Sequence, residues 1–184
     1  QIGQDIDSEA IGDESGFSVS LSSDGSIVAI GAPWNDGNGN GSGHVRVYSN
    51  TGGVWTQVGQ DIDGEAPFDR FGVSVSLSSD GSLVAIGARE NDENGFNSGH
   101  VRIYSNTGGV WTQVGQDIDG EAELDFSGFS VSLSSDGSVV AIGAPFNDAN
   151  GDNSGYVRIY QNQSNNWVKV GQDIDGEAAG DFNG

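Results

Sequence analysis

The string Gly-Gln-Asp-Ile-Asp begins at Gly3, Gly59, Gly115 and Gly171, and Ser-Ser-Asp-Gly-Ser begins at Ser22, Ser78 and Ser134, so every step is 56 residues with no insertion or deletion. A repeat this regular constrains the fold more tightly than any composition. Each unit must be one supersecondary element whose apolar faces are covered by its neighbours. Residues 1–16 and 169–184 carry the same part of the unit, so the 184 residues hold three units and a 16-residue overlap.

Four strands can be read in each unit. Phe17-Ser-Val-Ser-Leu21 alternates apolar and Ser residues, the period-two signal of a half-buried strand. Asp24-Gly25 follows and suits a two-residue type I′ hairpin turn, in which both central residues have positive φ. Ile27-Val-Ala-Ile30 is apolar throughout, as in a strand covered on both faces, and Gly31-Ala32-Pro33 is expected to end it. His44–Tyr48 places Val45 and Val47 on one face and His44, Arg46 and Tyr48 on the other. Val54–Ile62 reads as the fourth strand, after a turn at Ser49–Gly53. Four-stranded antiparallel sheets at a fixed period suggest an all-β stack of β-propeller blades. The expected division is 1–16 as the end of a preceding unit and connector, 17–72 and 73–128 as the first two blade-like repeats, and 129–184 as the third with its connector. Three blades are too few to close an ordinary ring, which leaves a fragment of a longer ring, an assembly of several chains or an open array.

The 31 glycines and many Ser, Asp and Asn residues fit a turn-rich chain, and the patterned apolar segments exclude low-complexity disorder. Formal net charge is −21, which repels nucleic acid and anionic membranes and favours cations and basic partners. No apolar run is long enough to span a bilayer as a helix, so membrane insertion is not expected. Cysteine is absent, so no disulfide or thiol chemistry is available. Methionine is also absent and Gln1 falls inside a unit, so processing or excision from a longer protein is expected.

Phe71-Gly72 before a first strand, with Gly31-Ala32-Pro33 and Gly143-Ala144-Pro145 after second strands, resembles the FG-GAP repeat of integrin α-subunits and many bacterial and algal surface proteins. The second unit departs with Gly87-Ala88-Arg89. The outer units read Ser15-Gly16-Phe17 and Ser127-Gly128-Phe129, keeping the Gly but moving the Phe behind it. The resemblance covers essentially the whole chain. It implies β-propeller blades, an extracellular or cell-surface location, and adhesion or ligand binding. It also implies Ca2+ in an Asp-rich loop between the first two strands. Ser22-Ser-Asp-Gly-Ser26 is too short to supply that ligand set, so the role is not carried over there.

Two other acidic loops are candidate Ca2+ sites. The first is Asp61, Asp63, Glu65 and Asp69, matched by Asp117, Asp119, Glu121 and Asp125 and by the terminal sets Asp5, Asp7, Glu9, Asp13 and Asp173, Asp175, Glu177, Asp181. The second is Asp36 and Asn38, matched by Asp92 and Asn94 and by Asp148 and Asn150. Both spacings suit part of an oxygen ligand set, and both suit still better turns whose Asx side chains bond nearby amides. Arg46, Arg102 and Arg158 are expected to pair with the acidic loops, and Trp55, Trp111 and Trp167 to pack in or between blades. Tyr156 replaces His44 and His100 in the third unit, which argues against a histidine role repeated in every unit. Trp34 is expected on a variable loop surface. Asn40 and Asn162 open Asn-x-Ser sequons where glycans could attach.

No nucleophile–base set, phosphate loop or His-rich zinc pattern occurs, so the chain is not expected to be an enzyme. The expected function is an extracellular structural or adhesive repeat module, stabilised by Ca2+ and assembling head-to-tail with copies of itself or with further repeats of the same parent chain. The alternative is a propeller fragment that binds a glycan or protein ligand.

Overall fold

A computed structural model describes all 184 residues and contains three antiparallel sheets and no helix. β1 (Ser18–Leu21), β2 (Ile27–Ala32), β3 (His44–Thr51), β4 (Val54–Gln57) and β5 (Ile62–Asp63) form the first blade. β6 (Ser74–Leu77), β7 (Leu83–Ala88), β8 (His100–Thr107), β9 (Val110–Gln113) and β10 (Ile118–Asp119) form the second. β11 (Ser130–Leu133), β12 (Val139–Ala144), β13 (Tyr156–Asn162), β14 (Trp167–Lys169) and β15 (Ile174–Asp175) form the third. Within each blade the first four strands lie in sequence order, and the sheets do not close into a ring.

Three local readings need correction. The second strand runs on through Gly31 and Ala32, which pair with Val45 and His44, so Pro33 rather than Gly31 ends it. The Asp24-Gly25 turn is not type I′, because Gly25 has φ +69° while Asp24 is not in the positive-φ region. Asp24 acts through its side chain instead: Oδ1 accepts from the Ser22 hydroxyl and from the Ser26 amide and hydroxyl. The fourth strand is broken into β4 and β5, which pair with opposite halves of β3. The break is at Gly59, whose φ is +79° and where an added Cβ would stand 2.4 Å from the Gly109 oxygen. That kink turns Gln60 toward the next blade.

The core lies between the sheets. Ala29, Val45, Val47, Ile62 and Phe71 of the first unit pack on Val75, Leu77, Val84, Ile86 and Trp111 of the second. Ala85, Val101, Ile103 and Ile118 of the second pack on Leu133, Val140, Ile142 and Trp167 of the third. Each blade therefore has one face for the preceding blade and another for the following one. The Ser positions of the first strands also belong to this contact and do not simply face water. Ser20 Oγ accepts from the Leu77 amide, and Ser18 Oγ donates to the Gly72 carbonyl. The same bonds recur at Ser76–Leu133 and Ser74–Gly128.

The glycines of the two motifs meet at these junctions. Gly72, with φ +88°, donates its amide to Gly87 O, and a Cβ on Gly31 would stand 2.1 Å from Gly72 O. Backbone approaches backbone there, and no side chain fits.

Candidate functional site

The ionisable groups gather between blades, where each connector crosses to the next sheet. Gln60 clamps the following blade: its Nε2 donates to Trp111 O at 3.0 Å, and its Oε1 accepts from the Trp111 amide. Trp111 Nε1 donates to Val58 O at 2.7 Å. Gln116 and Trp167 repeat the clamp, as do Gln4 and Trp55 at the N-terminal end. Trp111 and Trp167 thus pack between blades as expected, and Trp55 meets the N-terminal segment in the same way.

Past the clamp, the first acidic set divides. Asp61 pairs with Arg46 of its own blade, whereas Glu65 reaches Arg102 of the next. Arg102 Nη2 lies 2.6 Å from Glu65 Oε2 and 2.5 Å from Asp117 Oδ2. Arg158 repeats this with Glu121 and Asp173, and Arg46 with Glu9 and Asp61. The expected partnership of arginine with acidic loop is present, and it joins two units. Asp69 turns inward to accept from the Ala66 amide and from Asn91 Nδ2, and Asp125 does the same with Ala122 and Asn147. Asp63 and Asp119 sit in β5 and β10, opposite His44 and His100. Asp61, Asp63, Glu65 and Asp69 are therefore shared between two inter-blade clusters. Asp117, Asp119, Glu121 and Asp125 are divided in the same way.

Burial raises Asp63, Asp69, Asp119 and Asp125 above the ordinary carboxylate range. Asp119 is pushed further by Glu93 and Asp117. Asp117 and Asp173 are lowered despite some desolvation, because they accept charge-assisted bonds from Arg102 and Arg158.

The second acidic set closes its own loops. Asp36 Oδ1 accepts from the Gly41 amide at 2.7 Å, with Asp92 and Asp148 in the same role toward Asn97 and Asn153. Asn38, Asn94 and Asn150 donate Nδ2 to the carbonyls of Gly64, Gly120 and Gly176. These side chains fix the loop between the second and third strands against the connector. Asn40 is exposed, whereas Asn162 Oδ1 already accepts from the Asn165 amide. Trp34 is 41% exposed on its loop, with Arg70 stacked 3.4 Å over the ring.

Two groupings bring donor atoms close enough to share a cation: Glu9, His44 and Asp61, and Glu65, Glu93, His100 and Asp117. A cleft of about 420 Å³ opens beside the second, lined by Glu65, Asp69, Asn91, Asp92 and Glu93. Glu93 and the cross-blade partner of Arg102 were not identified from sequence. The signal for the latter was the constant offset of 37 between Glu65 and Arg102 and between Glu121 and Arg158.

The FG-GAP repeat model matches residues 7–48, 61–104 and 117–160. No curated protein matches the chain. Among solved structures, the chain is similar to the periplasmic gluconolactonase PpgL of Pseudomonas aeruginosa, at 19% identity and TM-score 0.55 over 88% of this chain and 39% of that one. It is also similar to Sqt1 of Saccharomyces cerevisiae, at 14% identity and TM-score 0.56 over 89% and 37%. The Cps50 (Swd1) β-propeller domain of Myceliophteria thermophila matches at 11% identity and TM-score 0.51 over 85% and 38%. The chain spans about two-fifths of the length of these structures, and at such identities the likeness is one of fold.

Proposed function

The chain belongs to the FG-GAP repeat family, and on that premise we propose that it is an extracellular structural or adhesive module whose two end blades dock like blades of a second copy, head to tail. The observation that carries this reading is the match between the uncovered end faces and the covered interior ones. Leu77 of β6 is 7% exposed against the first blade, while its counterpart Leu21 is 60% exposed. At the other end Ile62 and Ile118 are each 4% exposed, while their counterpart Ile174 is 55% exposed. The face of β1 and the face of β13 and β15 are thus the two halves of an interface the chain already makes twice internally. A contact between unlike faces gives a ring if the rotation closes and a filament if it does not.

Residues 1–16 already lie on the first blade as residues 57–72 lie on the second, with Gln4 on Trp55 and Glu9 on Arg46. The terminal segment 169–184 of a docking copy would claim the same place, so docking exchanges one segment for the other. The reading assigns no catalytic step to this chain; lactonase describes a neighbour of the same fold. The test is light scattering over a concentration series with negative-stain imaging. Mass should rise with concentration into rings or fibres, and L21K should abolish the rise. A lone monomer at every concentration would overturn the proposal.

A further inference from the structure

His100 opens β8 and is 1% exposed, yet neither ring nitrogen has a hydrogen-bond partner. Buried polar groups without partners are rare and costly. Its Nδ1 is 4.0 Å from Glu65 Oε1. A ring nitrogen of His100 and one carboxylate oxygen each from Glu65, Glu93 and Asp117 lie within 4.8 Å of one another. The four come from four places in the chain: the connector of the first blade, the β7–β8 loop, β8, and the approach to β10.

Arg102 does not neutralise this cluster. It holds Glu65 Oε2 and Asp117 Oδ2, one positive charge against three carboxylates. Glu65 Oε1 is left with only a 3.4 Å bond from Asn91. Negative charge therefore remains in excess around the imidazole. Both ring nitrogens of His100 lack a hydrogen-bond partner, so the imidazole has a lone pair to offer a cation at this junction. Glu65 and Glu93 also line the adjoining cleft. An imidazole nitrogen among carboxylates suits zinc-type cations, whereas Ca2+ takes oxygen ligands.

We propose that His100, Glu65, Glu93 and Asp117 form a binding site for a divalent transition-metal cation of the zinc type, sealing the junction of the first and second blades. Tetrahedral zinc holds its ligand atoms about 3.4 Å apart, so the grouping closes on an ion by side-chain movements of about 1 Å. The site belongs to the middle unit alone. The first unit has Glu9, His44 and Asp61 but Gly37 in place of Glu93, and the third has Tyr156 and Ala149 in place of His100 and Glu93.

The test is isothermal titration of the whole chain with zinc chloride in chelator-free buffer. One tight site is expected. H100Y should weaken it at least tenfold and E93G several-fold; each introduces the residue found at the matching position of another unit. H44Y should leave the tight site within twofold, and zinc should shift the nitrogen resonances of His100. Absence of saturable binding would overturn the proposal. So would binding that H100Y leaves unchanged, or equal competition by Ca2+, which would assign the ion to carboxylates alone. If H100Y does not fold, E93G and the His100 resonances decide.

Discussion

Leu21, Leu77 and Leu133 occupy one position in three units, so truncating each to Ala changes the same atoms against different surroundings. Leu77 is 7% exposed and Leu133 9%, against 60% for Leu21. Fully burying a leucine side chain contributes about 1.5–3 kcal/mol, so the extra half of its surface covered at Leu77 amounts to roughly 0.8–1.6 kcal/mol. The cavity left between two sheets adds to this and brings L77A and L133A to a loss of about 2–4 kcal/mol. L21A opens no enclosed cavity, and its loss stays under about 1 kcal/mol. In urea, with a slope of about 2 kcal/mol per molar, the interior variants move the midpoint by about 1–2 M and L21A by under about 0.5 M. The assay is equilibrium unfolding followed by tryptophan fluorescence, at a dilution where the wild type sediments as a monomer. Equal shifts for L21A and L77A at that dilution would refute the claim that stability resides between blades. At higher concentration the docking proposal predicts that L21A also loses assembly.

Four further outcomes follow from the same contacts. Q60A removes both hydrogen bonds to Trp111 and should cost about 1–3 kcal/mol in urea unfolding, whereas Q4A, at the exposed end, should cost clearly less. R102A leaves Glu65 and Asp117 facing each other without the guanidinium they share and should destabilise the chain by about 1.5–3 kcal/mol, measured the same way. Asp24 and Asp136 are held down to about 2 by bonds from Ser22, Ser26, Ser134 and Ser138. Their folded pKa values lie below the ordinary 3.8, so what they contribute is present above that pH and fades as pH falls through about 2; carboxyl NMR titration should find both midpoints there. Deleting residues 1–16 vacates the place at Trp55 and Arg46 that a partner's terminal segment would fill, so the truncated chain should assemble at lower concentration, as read by light scattering.

Much of this architecture is legible in the sequence because each blade is local. Strand and turn residues lie within about 45 positions, and the alternation in Ser74–Leu77 and the apolar run Leu83–Ile86 each match the burial seen in the interior blade. What is not legible are features decided by a neighbour 56 residues away. Gln60 resembles an ordinary strand residue until Trp111 is placed opposite it. Glu65 resembles a member of its own Asp-rich loop until Arg102 of the following blade draws it across. The Asp24-Gly25 pair suggests a tight hairpin from its composition, but Asp24 gains three hydrogen bonds by staying in the ordinary backbone region. Local propensity could not weigh those bonds.

The absence of any insertion or deletion then has a physical cause. Inter-blade bonds recur at fixed sequence separations: 51 for the Gln clamp, 37 for Glu to Arg, 54 for Ser to the junction glycine and 57 for Ser to Leu. One extra residue in a connector would throw several of them out of register at once, and the Gly31–Gly72 approach, where an added Cβ finds only 2.1 Å, leaves no slack to absorb it. Equal connectors mean equal contacts, so each blade takes up the same position relative to the one before it. The segment 1–16 already makes those contacts on the first blade without a sheet of its own. The connector thus keeps its contacts with Trp55 and Arg46 even where the apolar face of the blade is uncovered, as at Leu21.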